Sequence, residues 1–465
     1  MKVLLTGATG LIGSEVGKQL SEAGIEVVSL TRDAKRARRS LPFLSEVHEW
    51  TGGDAPFPDS LRAVLQTVDG VVNLMGENIS DQRWSAEFKN KLITSRVSGT
   101  KSLVEEIKGN SKLRVWIQGS AIGVYGSSAN GEHFDENSPA GSGFLAELSR
   151  DWEKALGGLP STVRTVTLRI GVVFSHQSGA YPKLLTPLLQ GVGGVLGSGE
   201  QLMSLVHLTD VARFISYAIH NSKVSGVYNM VANDPVSNRD LMKKLAKLLN
   251  VCLAPRAPAF ALKLAIGEFA QALLESQAVV SVRLSDTGFL MKYPDVDSIL
   301  AEVTQWNLHP LKAAKGVFVF YAEQFVPHEI ESIFPFFSEA RNLETITPEW
   351  LNFKIQRVST PSIEKGTKIR YRLKLHGIPL SWVTDIAEWE PPLRFVDNQI
   401  RGPYSLWYHE HTFESVRGGT LLRDWVRFEL PMGKLGQWFG LGKVKSDVSR
   451  IFEHRRVKIE EMFGS

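Results

Sequence analysis

Cysteine is almost missing from this 465-residue chain: Cys252 stands alone. One thiol excludes an intramolecular disulfide and any zinc site built on several cysteines, and it fits a reducing compartment. Long apolar runs are missing as well. The most apolar stretch, 257–274, carries Lys263 and Glu268. It is expected to form one buried amphipathic helix, opened by Pro258, and no membrane span is expected. Charge of one sign is not in excess: 53 basic against 49 acidic residues give a formal charge of +4. The basic residues form no long run, so nucleic acid is not an expected partner. The first strand begins at residue 2, which leaves no room for a signal peptide, and the expected location is the cytoplasm.

What is present is concentrated first in residues 1–22. Residues 2–6, KVLLT, are a short apolar run that predicts a buried strand. Gly7, Gly10 and Gly13 follow at three-residue spacing, and Leu11, Ile12, Val16 and Leu20 then recur at helical spacing. Strand, glycine turn and helix together cradle a dinucleotide pyrophosphate. The glycines let the backbone approach the phosphates, and the helix N-terminus supplies free N–H groups and the positive end of its dipole. Gly7, Thr9, Gly10, Leu11, Ile12 and Gly13 are therefore the expected cofactor-binding turn.

A second strand is predicted over 25–30, followed by Thr31 and Arg32. An acidic residue at this place favours NAD, whereas an arginine favours the 2′-phosphate of NADP. Arg32, with Lys35, Arg36, Arg38 and Arg39 nearby, predicts NADP. Asp54 is a candidate for the adenine edge or a plain turn residue after Gly52 and Gly53. The strand predicted over 70–75 brings Asn73 and Gly76 to the carboxyl edge of the sheet, where ligands of open parallel sheets bind. A long helix is predicted over 88–107. The strand over 114–119 delivers Ser120 and Tyr125, the two groups needed to bind and protonate a carbonyl oxygen during hydride transfer. They are the expected catalytic pair. A strand is read over 165–174, a flexible glycine-rich substrate loop over 191–200, and a structural role for His207 in preference to a catalytic one. Strands alternating with helices predict a doubly wound α/β fold with a parallel sheet.

Near residue 316 the pattern changes. Short alternating or aromatic-rich segments at 317–324, 351–358, 368–375, 381–389, 394–399, 404–414 and 420–429 predict antiparallel strands. The stretch 443–463 places Val448, Ile451, Phe452, Ile459, Met462 and Phe463 on one helical face. The expected organisation is an NADP-binding domain over 1–306 with a helical subdomain near 235–300, a linker over 307–315, and an α+β domain over 316–465. In the last, Phe334, Phe336, Phe337, Trp350, Trp382, Trp389, Tyr404, Trp407 and Trp425 are expected in part to line a cavity for an apolar or aromatic ligand. Arg370, Arg372, His409 and His411 would supply its polar groups. His409 and His411 share a strand face, which suits a metal, but spacing supplies no third ligand and no metal site is assigned.

The first 300 or so residues resemble the extended short-chain dehydrogenase/reductases, in the branch of epimerase-family proteins or nucleoside-diphosphate-sugar epimerases. The pieces are TGATGLIG (6–13), NLMGE (73–77), RW (83–84), SR (95–96), SAIGVYG (120–126), FLAELSRDWE (144–153), LRIGVVF (168–174), GVGGVLGSGEQ (191–201), HLTD (207–210) and YN (228–229). The resemblance implies that Gly7, Gly10, Leu11, Ile12, Arg32 and Ser120 surround the cofactor. One departure stands out. The superfamily uses a Tyr-x-x-x-Lys pair, and the matching stretch here offers Phe144, Leu145, Leu148 and Ser149 instead. The region from 316 resembles the START-related, polyketide-cyclase-like helix-grip family, through FPFFSEARNLETITPEWL (334–351), GTKIRYRL (366–373), GPYSLWYHEHTF (402–413) and the closing helix. Two readings follow. One is an NADP-dependent, epimerase-like oxidoreductase acting on a small-molecule carbonyl or carbinol, such as a nucleotide sugar, fused to a ligand-binding domain. The other is an NADP-binding sensor or scaffold without turnover.

Overall fold

The computed structural model describes the chain apart from residues 42, 54, 129–131, 306–316, 417, 432 and 465, and apart from the side chains of 433–439. Asp54 and the linker expected at 307–315 lie outside the described residues. The chain divides into two compact units. One comprises Met1–Leu185, Gly193–Leu248 and Leu253–Thr304, and the bulk of the other is Gln305–Ser465.

In the first unit, β1 (Lys2–Thr6), β2 (Glu26–Thr31), β3 (Glu46–Glu49), β4 (Gly70–Asn73), β5 (Val115–Ala121), β6 (Arg164–Ile170) and the strand Gly226–Met230 form one parallel sheet. Its order is Gly226–Met230, β6, β5, β4, β1, β2, β3. Both faces of β1, β4 and β5 are buried, as expected of a parallel sheet covered by helices. Side chains alternate between two cores. Val3 and Leu5 join Val16, Leu20, Val72, Ile117 and Phe214 on one side. Leu4 joins Val28, Val71, Trp116, Leu61 and Leu103 on the other. Strand order reverses between β1 and β4, which opens a crevice at their carboxyl ends.

Backbone crowding forms the turn at that crevice. Gly7 has φ +68°, and a β-carbon there would lie 2.4 Å from the Leu74 carbonyl oxygen. Helix α1 (Leu11–Glu22) packs so close to the turn that a β-carbon on Gly13 would lie 2.1 Å from the Gly7 carbonyl oxygen. The Gly10 amide donates to that same oxygen at 2.9 Å.

Several expectations are corrected. The helix over 88–107 is Ala86–Ile93 and Gly99–Ile107 joined through a π-helical turn, Thr94–Ser98. The stretch 257–274 is two short helices, Ala259–Ile266 and Phe269–Leu274, broken at Gly267 with φ +68°. The first is not buried: Phe260 and Leu264 are 74% and 77% exposed. The strand over 165–174 breaks at Gly171, and Val172–Phe174 leaves the main sheet to pair with Leu205–His207. The glycine-rich segment after 191 holds a short strand, Gly194–Leu196, paired with Ala254–Ala257.

In the second unit all seven expected strands form one antiparallel sheet. Its order is Phe318–Val326, Gly419–Glu429, Leu406–Val416, Arg394–Arg401, Ile378–Glu390, Lys368–Leu375, Lys354–Val358. The first strand of the unit pairs with the last and so forms one edge of the sheet, with Lys354–Val358 at the other. The helix Gly433–Phe463 buries Val448, Phe452 and Ile459, and Ile459 sits in one core with Phe334, Phe395 and Phe413.

Gly13→Ala should lower the stability of the first unit by about 1–3 kcal/mol, because backbone, not a yielding side chain, occupies the β-carbon position. Gly109 has nothing within 4 Å of its β-carbon position and no positive φ, so Gly109→Ala should be neutral or stabilising by up to about 1 kcal/mol. Denaturant melts of the two variants check the contrast.

Candidate functional site

The crevice is built from the carboxyl ends of β1, β2, β4 and β5. Thr9 and Gly10 are exposed on its floor, and Leu11 and Ile12 are half-buried. Gly10 caps α1 without a side-chain hydrogen bond, and the first-turn amides of a helix have no intrahelical acceptor. The turn therefore presents N–H groups, a positive dipole end and a surface with no β-carbon at residues 7, 10 and 13, and it fits a dinucleotide pyrophosphate.

Asn73 does not border the crevice with its side chain. It is fully buried, accepts a hydrogen bond from the Thr6 hydroxyl (2.6 Å), and donates to Thr100 Oγ1 (2.8 Å) and Gln118 Oε1 (3.0 Å). The Thr6 hydroxyl in turn accepts from the Leu74 and Met75 amides at 3.1 and 3.2 Å. Asn73 thus ties the ends of β1, β4 and β5 together behind the glycine turn. Gly76 is exposed at the edge, and a β-carbon there would meet the Arg96 guanidinium at 2.8 Å. Arg96 rises from the π-helical turn, lies over the Trp152 ring at 5.2 Å, and is pulled down to about 10 by burial, with nearby Glu77 opposing the shift. π-Helical turns recur at functional sites.

Arg32 follows β2 directly. Its side chain is 70% exposed and donates to Glu77 Oε2 at 2.9 Å. Asp33 caps the helix Ala34–Ser40 by accepting from the Arg36 amide at 2.8 Å, so it points away from a role against Arg32.

Ser120 and Tyr125 belong to one buried polar network. The Ser120 hydroxyl donates to Glu153 Oε1 at 2.7 Å. Glu153 accepts two further bonds from Arg169, each 2.9 Å. Arg169 also donates to the Tyr125 oxygen at 2.9 Å, and the Tyr125 hydroxyl donates to Asn229 Oδ1 at 2.8 Å. Burial raises the phenol above its ordinary range, with the hydrogen bond from Arg169 opposing. Burial pulls Arg169 down, but its bonds to Glu153 and Tyr125 outweigh that and raise it. Tyr125 is 2% exposed and stacks on Phe134 at 5.4 Å. Its proton is spent on Asn229, and it offers a ligand no open face in this conformation. Ser120, at 4% exposure, is the member at the strand end.

The helix Phe144–Lys154 explains the place of the departed Tyr-x-x-x-Lys pair. Phe144 and Leu148 pack with Trp84, Phe88, Leu92 and Trp152 in an apolar cluster. His207 is structural: it caps the helix Leu208–His220 by accepting from the Thr209 amide (3.2 Å) and pairs with Glu302 at 2.8 Å. Sequence reasoning missed Glu153, Arg169, Asn229 and Arg96 as members of the site. The available signal was a lone arginine inside an apolar strand, with a glutamate ending a helix beside it.

In the second unit Arg370 and Arg372 are exposed, because Lys368–Leu375 turns Ile369, Tyr371 and Leu373 inward. Neither lines the cleft of this unit described next. Trp382 packs on Tyr371, Tyr404 and Trp407, and Phe334 packs on Trp389, Phe395 and Phe413. A cleft of about 170 Å³ lies elsewhere, against Phe320, Leu422, Asp424, Phe452, Arg455 and Ile459, and none of the nine expected rings lines it.

The model of the NAD dependent epimerase/dehydratase family matches residues 3–230, and that of DUF1731, a domain of unknown function, matches 257–303. Neither match extends into the second sheet. The chain is 34% identical over 315 residues to the epimerase family protein SDR39U1 homolog, chloroplastic, of Arabidopsis thaliana, covering 66% of this chain and 87% of that protein. Human epimerase family protein SDR39U1, solved with NADPH, superposes with a TM-score of 0.59 at 30% identity, over 66% of this chain and 99% of that one. The nucleoside-diphosphate sugar epimerase from Corynebacterium glutamicum gives a TM-score of 0.51 at 30% identity, over 65% of this chain and 57% of that one. Through its glycine turn, its sheet order and these matches, the chain belongs to the NAD dependent epimerase/dehydratase family.

Proposed function

We propose that the first unit binds NADP(H) and serves hydride transfer on a carbonyl or carbinol carbon of a small molecule, a nucleoside-diphosphate sugar being the class named for one relative. The cradle at Gly7, Gly10 and Gly13 carries this reading, since its crowded backbone sets the first-turn amides of α1 at the carboxyl edge of the sheet, where a pyrophosphate binds. Thr9 to Gly13 would hold the pyrophosphate, and the nicotinamide, when bound, supplies or accepts the hydride. Arg32 would hold the 2′-phosphate. Its ion pair with Glu77 is exposed, and such pairs are worth only about 0–1 kcal/mol, so it yields readily to a phosphate dianion.

Ser120 would meet the substrate oxygen. To donate there its hydroxyl turns from Glu153, which Arg169 holds in place through two hydrogen bonds. Tyr125 then acts as a positioning residue for Arg169 and not as the proton donor. Support for the second reading, an NADP-binding sensor or scaffold without turnover, comes from the same observations: the buried phenol and the apolar Phe144 and Leu148. Reduction or oxidation of any candidate carbonyl compound by purified protein favours the enzyme, and nucleotide binding with no turnover favours the sensor. For the second unit, an apolar ligand is supported only by the Phe320, Leu422, Phe452 and Ile459 part of the cleft wall.

Calorimetry should show NADP(H) preferred over NAD(H), and Arg32→Ala should erase roughly 1.5–3 kcal/mol, about one to two decades, of that preference. An unchanged ratio removes Arg32 from the site. Tyr125→Phe should cost about 1–3 kcal/mol of stability by leaving Asn229 Oδ1 and one terminal N–H of Arg169 without their buried partner. Any rate loss should stay below the ~10²–10⁴-fold expected of a lost general acid. Denaturant melts and steady-state rates on one preparation separate the two effects.

A further inference from the structure

Four residues of the second sheet form a square on one face. His409 and His411 are two apart on the strand Leu406–Val416, so they point the same way. Asp397 stands directly across from His409 on one neighbouring strand, and Asp424 directly across from His411 on the other. Cross-strand partners share a face, and alternation therefore collects two imidazoles and two carboxylates under the C-terminal helix. The rings lie 3.8 Å apart. Phe395 stacks on His411 at 4.1 Å and Phe452 packs on His409, which covers the two rings on these sides.

The hydrogen-bond inventory of the square does not close with neutral rings. All four ring nitrogens face a carboxylate oxygen. His409 Nε2 and His411 Nδ1 lie 2.9 and 2.8 Å from Asp424 Oδ1. His409 Nδ1 and His411 Nε2 lie 3.3 and 3.0 Å from Asp397 Oδ2. A neutral imidazole has one N–H. If both N–H groups serve Asp424, two lone pairs are left aimed at the Asp397 oxygen, and either a further ring proton or a metal cation between them resolves the conflict, a choice the titration below decides.

We propose that Asp397, His409 and His411 form a three-ligand site for a divalent transition-metal ion, with zinc the best match to the donor set. The three donor atoms lie within 4.8 Å of one another. Metal–nitrogen and metal–oxygen bonds of about 2.0–2.2 Å put tetrahedral ligands about 3.3–3.5 Å apart, close to the spacings around Asp397. Asp424 completes the arrangement metal-binding histidines ordinarily show, with the second ring nitrogen donating to a carboxylate. Arg455 in turn holds Asp424 at 3.2 Å, with its other terminal nitrogen 3.4 Å from His411. Asp424 and Arg455 also line the 170 Å³ cleft, which gives the site a path toward solvent.

The test uses the full chain, stripped of metal with a chelator and titrated with Co²⁺. One equivalent should bind with the intense visible absorption of low-coordinate cobalt, and Zn²⁺ should displace it. X-ray absorption of the zinc-loaded protein should show nitrogen and oxygen neighbours with imidazole scattering and no sulfur. Asp397→Asn should weaken binding at least tenfold, and Asp424→Asn by about 10–100-fold, the usual effect of a lost outer-shell partner. His376→Gln, which removes a separate histidine paired with Asp447 at 2.8 Å, should leave binding unchanged. Failure of folded wild type to bind either ion overturns the proposal. So does sulfur in the metal shell, or a folded Asp397→Asn protein that binds as tightly as wild type. Should Asp397→Asn not fold, the wild-type titration and absorption spectrum decide.

Discussion

The constraint on which the first unit's crevice depends is the contact between the Gly7 carbonyl and the start of α1. With a β-carbon position only 2.1 Å from that oxygen, residue 13 has to be glycine. The turn at residue 7 has to be left-handed and stay under the Leu74 carbonyl. These two requirements fix where α1 leaves the sheet and aim its N-terminus across the carboxyl ends of β1 and β4. Everything the crevice offers a ligand depends on that placement: the first-turn amides, the exposed Arg32 at the end of β2, and Ser120 at the end of β5. Asn73 and Thr6 keep the strand ends at a fixed height beneath it.

Most of the sheet of the first unit was legible because its central strands are short apolar runs and its helices carry a 3.6-residue pattern, whereas the edge strand EVHE at Glu46–Glu49 has no apolar run to show it. The seven strands of the second unit were legible from alternation. Interruptions were not. Gly171 and Gly267 break a strand and a helix because neighbouring backbone or a left-handed φ requires it, and neither cause is local in sequence. The π-helical turn at Thr94–Ser98 leaves no period of its own. Among site residues, those carried by the glycine motif could be named directly, whereas Asn73, at the end of β4, and Tyr125, in the turn after β5, are more buried than a ligand-facing role requires. A residue number fixes the end of a strand it occupies, but the partner that absorbs its hydrogen bonds comes from another strand. For Tyr125 that partner is Asn229, 104 residues away.

The same limit governs the second unit. His409 and His411 were visible as a pair on one face, yet Asp397 and Asp424 reach them only through register with two neighbouring strands. Arg370 and Arg372 looked available for a cavity, and alternation about Tyr371 turns both to solvent. The aromatic surplus is largely consumed by rings packing on rings, which leaves the polar square as the more distinctive chemistry of this sheet.

The central claim is that the glycine turn of the first unit is a dinucleotide cradle. Amide hydrogen exchange of the full chain with and without NADPH tests it most directly, because exchange reports the amides themselves and needs neither a substrate nor a substitution. Exchange should slow at Thr9 to Gly13 and at Arg32 and Asp33 when NADPH is bound. Bound NADPH with unchanged exchange over Thr9 to Gly13 would contradict it.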